Sequence, residues 1–159
     1  MIFITLGTQD KPFTRLLEAV QKEIDKGTIK DRVVVQAGCT KFTSSDMEIF
    51  DLIPMDEFDK IMEECDLLIT HGGVGSIVGG LNYDKKVIAV SRLAKYGEHV
   101  NDHQMQIITN FDQEGYIIGL NDLDDLEGAL KKVKKFKPNK YKSNTKKMIK
   151  LVEKVIDSD

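Results

Sequence analysis

Short apolar runs separated by longer amphipathic stretches recur along the chain, and this rhythm restricts the fold more than any other feature. Ile2–Leu6 is a strand-like run that ends at Gly7. Phe13, Leu16, Leu17, Val20 and Ile24 then recur at helical spacing, with Gly27 as the stop. Val33, Val34 and Val35 form a β-branched run suited to a strand buried on both faces. Residues 38–46 read as a loop and Glu48–Ile53 as a short strand. Phe58, Ile61, Met62 and Cys65 make a helical stripe, followed at once by the strand Leu67–Thr70. A glycine-rich turn leads into a helix near Ser76–Leu81 and then the strand Val87–Val90. After a polar loop at 92–100, Met105, Ile108 and Phe111 mark a helix ending before Gly115, and Tyr116–Ile118 is a last strand. Asp122 caps a helix through about Lys135. Alternation of this kind predicts an α/β protein with a doubly wound, mainly parallel sheet and helices on both faces.

At 159 residues, with no internal repeat or low-complexity tract, the chain reads as a single domain over 1–159. It is long enough to bury a core without disulfide or metal staples. The balance of 41% hydrophobic and 31% charged residues is that of a soluble globular protein. No apolar run approaches the roughly 18–20 residues that span a bilayer. Met1–Leu6 lacks the basic start of a signal peptide. Cys39 and Cys65, without close spacing, fit reduced, buried thiols, and together these features predict a cytoplasmic protein.

Charge is distributed unevenly. Pro138 opens a lysine-rich C-terminal helical segment, 138–159, with Tyr141, Thr145, Met148, Val152 and Ile156 on one side. Residues 131–154 hold eleven lysines against a single acid, Glu153, a net +10 within a chain of net charge −3, so the remainder carries −13. This split predicts either a solvated basic helix face or a surface for an anionic neighbour, such as a membrane or an acidic protein. Nucleic acid is disfavoured as a partner, because aromatic interleaving is sparse and the rest of the chain is acidic.

In an open parallel sheet, ligands bind beyond the C-terminal strand ends, near the point where strand order reverses. Three segments of unusual composition fall at such ends. The strongest is Thr70-His71-Gly72-Gly73-Val74-Gly75-Ser76, where three glycines between strand and helix allow close backbone approach. The N–H groups of the following helix start suit a phosphate or diphosphate, and His71 and Ser76 can add donors to the same anion. The plain alternative is a tight turn with Ser76 as N-cap. The turn is neither a Walker A loop nor a dinucleotide fingerprint, since Val78 stands where the third glycine would be. Gly7 and Thr8 form a weaker turn of the same kind after the first strand. The third segment packs Glu98, His99, Asn101, Asp102, His103 and Gln104 into seven residues, where carboxylate and amide groups could bind sugar hydroxyls. His99 and His103 could instead hold a metal with Glu98 or Asp102, but that is the weaker reading, and no metal site is expected. Asp102 also suits the N-cap of the next helix, and Asp122-Leu123-Asp124 is better explained as a helix cap than as a metal motif.

Three features in this order, namely Ile4-Thr5-Leu6-Gly7-Thr8 with Pro12-Phe13, the His71–Ser76 turn, and Asn101-Asp102-His103-Gln104, make the chain resemble the C-terminal, donor-binding domain of family-28-type glycosyltransferases. The likeness covers nearly the whole chain. It is closer to the small split members of the group, such as the catalytic subunit of the eukaryotic two-subunit N-acetylglucosaminyltransferase of lipid-linked oligosaccharide synthesis and bacterial exopolysaccharide and capsule counterparts. The resemblance implies a Rossmann-like half of a two-lobed GT-B enzyme that transfers a hexose from a UDP-sugar with inversion and without a metal. UDP-sugar is then a co-substrate, and no resident cofactor is expected. Gly7 and Thr8 would line the phosphate side, His71, Gly72, Gly73, Gly75 and Ser76 would hold the diphosphate, and Asn101, Asp102 and Gln104 would meet the sugar. Many relatives carry a glutamate for the ribose where this chain has Gly79, with Asn82 as a possible substitute.

The resemblance further implies a polyprenyl-linked sugar acceptor and a membrane-anchored partner subunit that supplies the acceptor lobe. The chain would then sit at the inner face of the membrane, its lysine-rich segment facing the partner or the anionic leaflet. The general base would come from the partner or, less favourably, from His99 or His103. The alternative from another class is a non-catalytic nucleotide-binding regulatory or assembly module.

Overall fold

In the computed structural model, residues 1–7, 11–98 and 103–140 are described, apart from the side chains of Ala94 and His103. Six strands form one parallel sheet: β1 (Ile2–Thr5), β2 (Val33–Gln36), β3 (Glu48–Phe50), β4 (Leu67–His71), β5 (Lys86–Val90) and β6 (Ile118–Leu120). Their order is β3-β2-β1-β4-β5-β6, and every neighbouring pair runs parallel. The helices are α1 (Thr14–Asp25), α2 (Met55–Glu64), α3 (Val74–Asn82), α4 (His103–Gln113) and α5 (Leu126–Val133).

Alternation along each strand divides the core into two layers. Ile2 and Ile4 of β1, with Val33 and Val35 of β2, pack against Leu16, Leu17 and Val20 of α1 and against Leu130 of α5. Phe3, Val34 and Leu68 point the other way, against Met62 of α2, Ile77 of α3 and Phe111 of α4. A period of two on strands flanked by helices on both faces is what makes near-continuous apolar runs necessary. Walking outward from β1, the chain first fills β2 and β3, then returns to place β4 on the other side. The strand order therefore reverses between β1 and β4, at the register pair Thr5–Thr70, where the two buried hydroxyls share a 2.8 Å hydrogen bond.

Several boundaries differ from the sequence expectations, each for a local reason. The third strand stops at Phe50, because Ile53 N–H turns to the side-chain Oε1 of Gln36 at 2.9 Å. The last strand begins at Ile118, since Tyr116 N–H is still held by Phe111 O at the end of α4. Asp122 caps a 3₁₀ turn, Leu123–Asp125, by accepting from Asp124 N–H, and α5 follows only from Leu126. That helix ends early, where Lys86 Nζ donates to the carbonyls of Val133 and Lys134. Residues 138–140 are not helical: Asn139 is bound through its backbone and its side chain to Gly115 O and Glu114 O. The rest of the segment expected to be helical, 141–159, lies outside the described residues. Cys39 is exposed on the turn after β2 instead of buried, whereas Cys65 is 2% exposed and its burial pushes the thiol above its ordinary pKa. Among the described residues no helix is long and apolar enough to cross a membrane.

Gly80 brings α3 close to the sheet. A Cβ there would lie 2.6 Å from Leu68 Cδ2 and 3.0 Å from Val87 Cγ2, both in the core, whereas one on Gly79 would meet nothing within 4 Å. Gly80→Val should therefore destabilise by roughly 1–3 kcal/mol through overpacking. Gly79→Ala should stabilise by about 0.5–1 kcal/mol by restricting the unfolded chain. Urea titration distinguishes the two. Under native conditions iodoacetamide should modify Cys39 and leave Cys65 intact, as read by peptide mass mapping.

Candidate functional site

The reversal point puts Gly7, just past β1, beside His71, the last residue of β4, and Gly73, the N-cap of α3. Gly7 adopts φ +78°, and a Cβ on it would fall 2.6 Å from His71 Nε2. A Cβ on Gly73 would fall 2.4 Å from His71 Cε1. The imidazole is thus enclosed between two glycine backbones and is 5% exposed. Gly72 makes room for a different neighbour: a Cβ there would sit 2.7 Å from Gln104 Cβ and 2.9 Å from Ile108 Cδ1, so α4 closes on the turn.

Gln104 orders this cluster. Its Oε1 accepts from Gly72 N–H at 3.1 Å and from Arg92 N–H at 3.0 Å. Two fixed donors on one oxygen assign the carboxamide, so its NH₂ faces His71 Nδ1 at 3.4 Å. Nδ1 is then an acceptor, and in the neutral ring the proton sits on Nε2, which lies 3.4 Å from Ser76 Oγ. With the Nε2–H directed at that oxygen, the serine hydroxyl can donate outward. Ser76 is the third residue of α3 and not its N-cap, so the capping alternative does not hold.

The first intrahelical bond of α3 runs from Ile77 N–H to Gly73 O, so the N–H groups of Val74, Gly75 and Ser76 precede the ladder at the positive end of the helix. Gly75 is exposed, and a Cβ on it would meet no atom of the described residues within 4 Å. Among the described residues the space beside it is open, so a ligand can approach the helix end there. This arrangement suits an anion with several acceptor oxygens.

A second polar cluster supports the rim from below. Arg15 on α1 holds Glu98 in a two-pronged pair, Nε to Oε2 at 3.1 Å and a terminal nitrogen to Oε1 at 3.0 Å. The same Oε1 accepts from Leu93 N–H at 3.1 Å. Arg92 is 1% exposed and lies 5.1 Å from the Phe13 ring centroid. Its desolvation pulls the pKa below that of an ordinary guanidinium, and Cys39 and Glu98 oppose that shift. The stretch expected as a polar loop at 92–100 includes three buried residues, Arg92, Leu93 and Glu98, and a 3₁₀ turn at Ala94–Tyr96.

The structure brings together Gly7, His71, Gly72, Gly73, Gly75, Ser76 and Gln104. Gln104, expected at the sugar, is 3% exposed and engaged beneath the turn, because its amide is taken up by Gly72, Arg92 and His71. His71 is also buried, its Nε2 3.4 Å from Ser76 Oγ. Thr8, His99, Asn101 and Asp102 lie outside the described residues, as does the side chain of His103. Among the described residues no cluster of three or more His, Cys, Asp or Glu could hold a metal ion. A groove of about 580 Å³ lies at the opposite end of the sheet beneath Ile2, Leu67 and Lys86, away from the glycine turn.

The glycosyltransferase family 28 C-terminal domain family matches residues 1–158. A UDP-N-acetylglucosamine transferase subunit ALG13 of Candida albicans is 31% identical over 81 residues, which is 51% of this chain and 26% of that protein. The chain thus spans only about a quarter of the length of this curated relative. The solution structure of an ALG13 superposes with TM-score 0.62 and 20% identity, covering 95% of this chain and 93% of the other. The crystal structure of the glycotransferase of kitacinnamycin gives TM-score 0.62 and 17% identity over 83% of this chain and 34% of that one. The fold is that of one half of a GT-B glycosyltransferase.

Exchange of the Gln104 amide for a carboxylate tests the proton assignment. Gln104→Glu can still accept from Gly72 and Arg92 but has no donor for Nδ1. Histidine ¹⁵N shifts should report the Nε2–H tautomer in the parent protein and protonated Nδ1 in the variant. An unchanged tautomer would refute the assignment.

Proposed function

The chain belongs to the glycosyltransferase family 28 C-terminal domain family, and from that premise we propose that it is the donor-binding part of a UDP-sugar-dependent hexosyltransferase. The observation that carries this reading is the enclosure of His71 by Gly7 and Gly73, which leaves the N–H groups of α3 and the Ser76 hydroxyl beside open space at the reversal point. The ALG13 protein to which the chain is similar is named as a UDP-N-acetylglucosamine transferase subunit, which favours a UDP-sugar donor and an enzyme completed by another subunit.

In this reading the diphosphate lies across the start of α3. Gly75 leaves room for it, Ser76 donates to it, and the N–H groups of residues 74–76 supply fixed dipoles. Gly7 and Thr8 border the same oxygens, and Asn101 and Asp102 meet the sugar. The acceptor hydroxyl attacks the anomeric carbon from the face opposite the leaving group. The bond from that carbon to the phosphate oxygen breaks, UDP departs with the electron pair, and a base takes the hydroxyl proton. Donors preorganised where the charge develops stabilise the departing diphosphate, so the step needs no metal. The base belongs to the partner, with His99 or His103 as the candidates within this chain. The acceptor is a polyprenyl-linked sugar in exopolysaccharide, capsule or lipid-linked oligosaccharide synthesis. A membrane-anchored subunit supplies its binding lobe and holds this chain at the cytoplasmic face.

Calorimetric titration with UDP, with and without EDTA, tests the proposal. One half of a cleft should bind weakly, with a constant on the millimolar scale, about −4 kcal/mol, unaffected by EDTA. Gly75→Val fits the backbone but fills the open space, so it should abolish binding while leaving the melting temperature nearly unchanged. Failure to bind UDP both alone and in a co-purified complex would refute the reading. Binding without sugar turnover in that complex would favour a non-catalytic nucleotide-binding module.

A further inference from the structure

Arg92 makes an unusual set of contacts for a buried charge. Among the described residues its guanidinium forms no ion pair with a carboxylate, since the nearby Glu98 carboxylate is held by Arg15. Instead it donates to main-chain carbonyls on two connections of the sheet. On the connection from β1 to α1 it reaches Leu6 O and, at 2.7 Å, Lys11 O. On the connection from β5 to α4 it reaches Glu98 O at 3.1 Å. Its own N–H donates to Gln104 Oε1, the oxygen that also orients Gly72 and, through the amide, His71. Its Nε has no partner among the described residues.

These contacts lie at the ends of both connections. Leu6 and Lys11 stand on either side of the Gly7 turn, and Glu98 and Gln104 on either side of the polar segment before α4. Burying a guanidinium is unfavourable unless its donors are satisfied. Ordinary packing against Phe13 would not need a charge, and a planar fork can serve several carbonyls in fixed directions where an ammonium cannot. We propose that Arg92 is a positioning residue that ties the β1–α1 and β5–α4 connections into one unit, so that the Gly7 backbone and the His71–Ser76 turn keep a fixed spacing. This rests on the donor-binding reading only for its consequence for ligand; the mechanical linkage stands on the contacts alone.

The test compares Arg92→Met, which keeps bulk but cannot donate, with Arg92→Lys and with Val133→Ala, a core change in α5 far from the rim. Amide exchange measured by NMR without ligand should quicken in Arg92→Met at Phe13 on one connection and at Leu93 and Glu98 on the other. Val133→Ala should leave those amides unchanged relative to the β1 and β4 cores. Faster exchange confined to Leu93 and Glu98 would overturn the linkage. UDP affinity should fall by about tenfold or more in Arg92→Met, change by less than about twofold in Val133→Ala, and be intermediate in Arg92→Lys. Should Arg92→Met fail to fold, Arg92→Lys against Val133→Ala carries the same comparison. Equal affinity in the Arg92 variants and Val133→Ala would overturn the positioning role. If the parent protein binds no UDP, the donor-binding reading fails, and the exchange data still decide the linkage.

Discussion

His71 can occupy its place only because the backbones on both sides of it carry no side chain. Parallel pairing of β1 with β4 in the register Thr5–Thr70 brings the two strand ends together, and the imidazole fills the gap they leave. A methyl group on Gly7 or Gly73 would overlap the ring. That enclosure fixes where the ring sits, and the Gln104 amide beside Nδ1 sets its tautomer. The open N–H groups at the start of α3 depend on strand pairing as much as on the glycines.

Two polar clusters support this arrangement, and they differ in kind. Around Gln104 the bonds are neutral: one side chain satisfies two backbone donors and orients a ring. Around Arg92 and Glu98 charges are buried, but each is placed to reach several partners. Glu98 receives a guanidinium fork and a backbone N–H, while Arg92 reaches carbonyls from separate connections. Buried polar groups cost several kcal/mol when unsatisfied, so such clusters are rigid where complete. Their shared member, Arg92, donates from its backbone to one cluster and from its side chain to the other.

Much of this was legible in the sequence, and what was not has a physical reason. Strands buried on both faces announce themselves as apolar runs, so β1, β2, β4 and β5 stand out, as do the amphipathic faces of α1 and α2. Boundaries governed by single side chains do not: β3 ends where Gln36 captures a backbone donor, and α5 ends at a lysine from another strand. The glycine turn is evident from composition, and its place at the reversal point follows from the strand order. The roles within it were less accessible. Arg92 and Glu98 look like solvent-facing residues when judged by polarity, because partners 81 and 83 residues away in sequence, Lys11 and Arg15, cannot be read from spacing, and the same holds for the nearer partners of Gln104. The aid available was the apolar pair Leu93-Ala94 within a polar stretch, a sign that the stretch dips into the core.

The chemistry of the rim also limits what this part of the protein can discriminate. Backbone N–H groups and one hydroxyl, gathered at a helix start, are donors without shape selectivity; they recognise oxygen-rich anions as a class. His71 and Gln104 are buried, and Gly75 and Ser76 at the start of α3 are small residues. On the proposed reading such a surface would hold a diphosphate, yet offer little to tell one hexose from another. Selectivity for the sugar requires directed hydrogen bonds to individual hydroxyls, for which a site is effective only when those bonds are buried and fully formed. On the proposed reading the division would follow the strands: the reversal point would supply the anion end, and the choice of sugar would depend on polar groups beyond it.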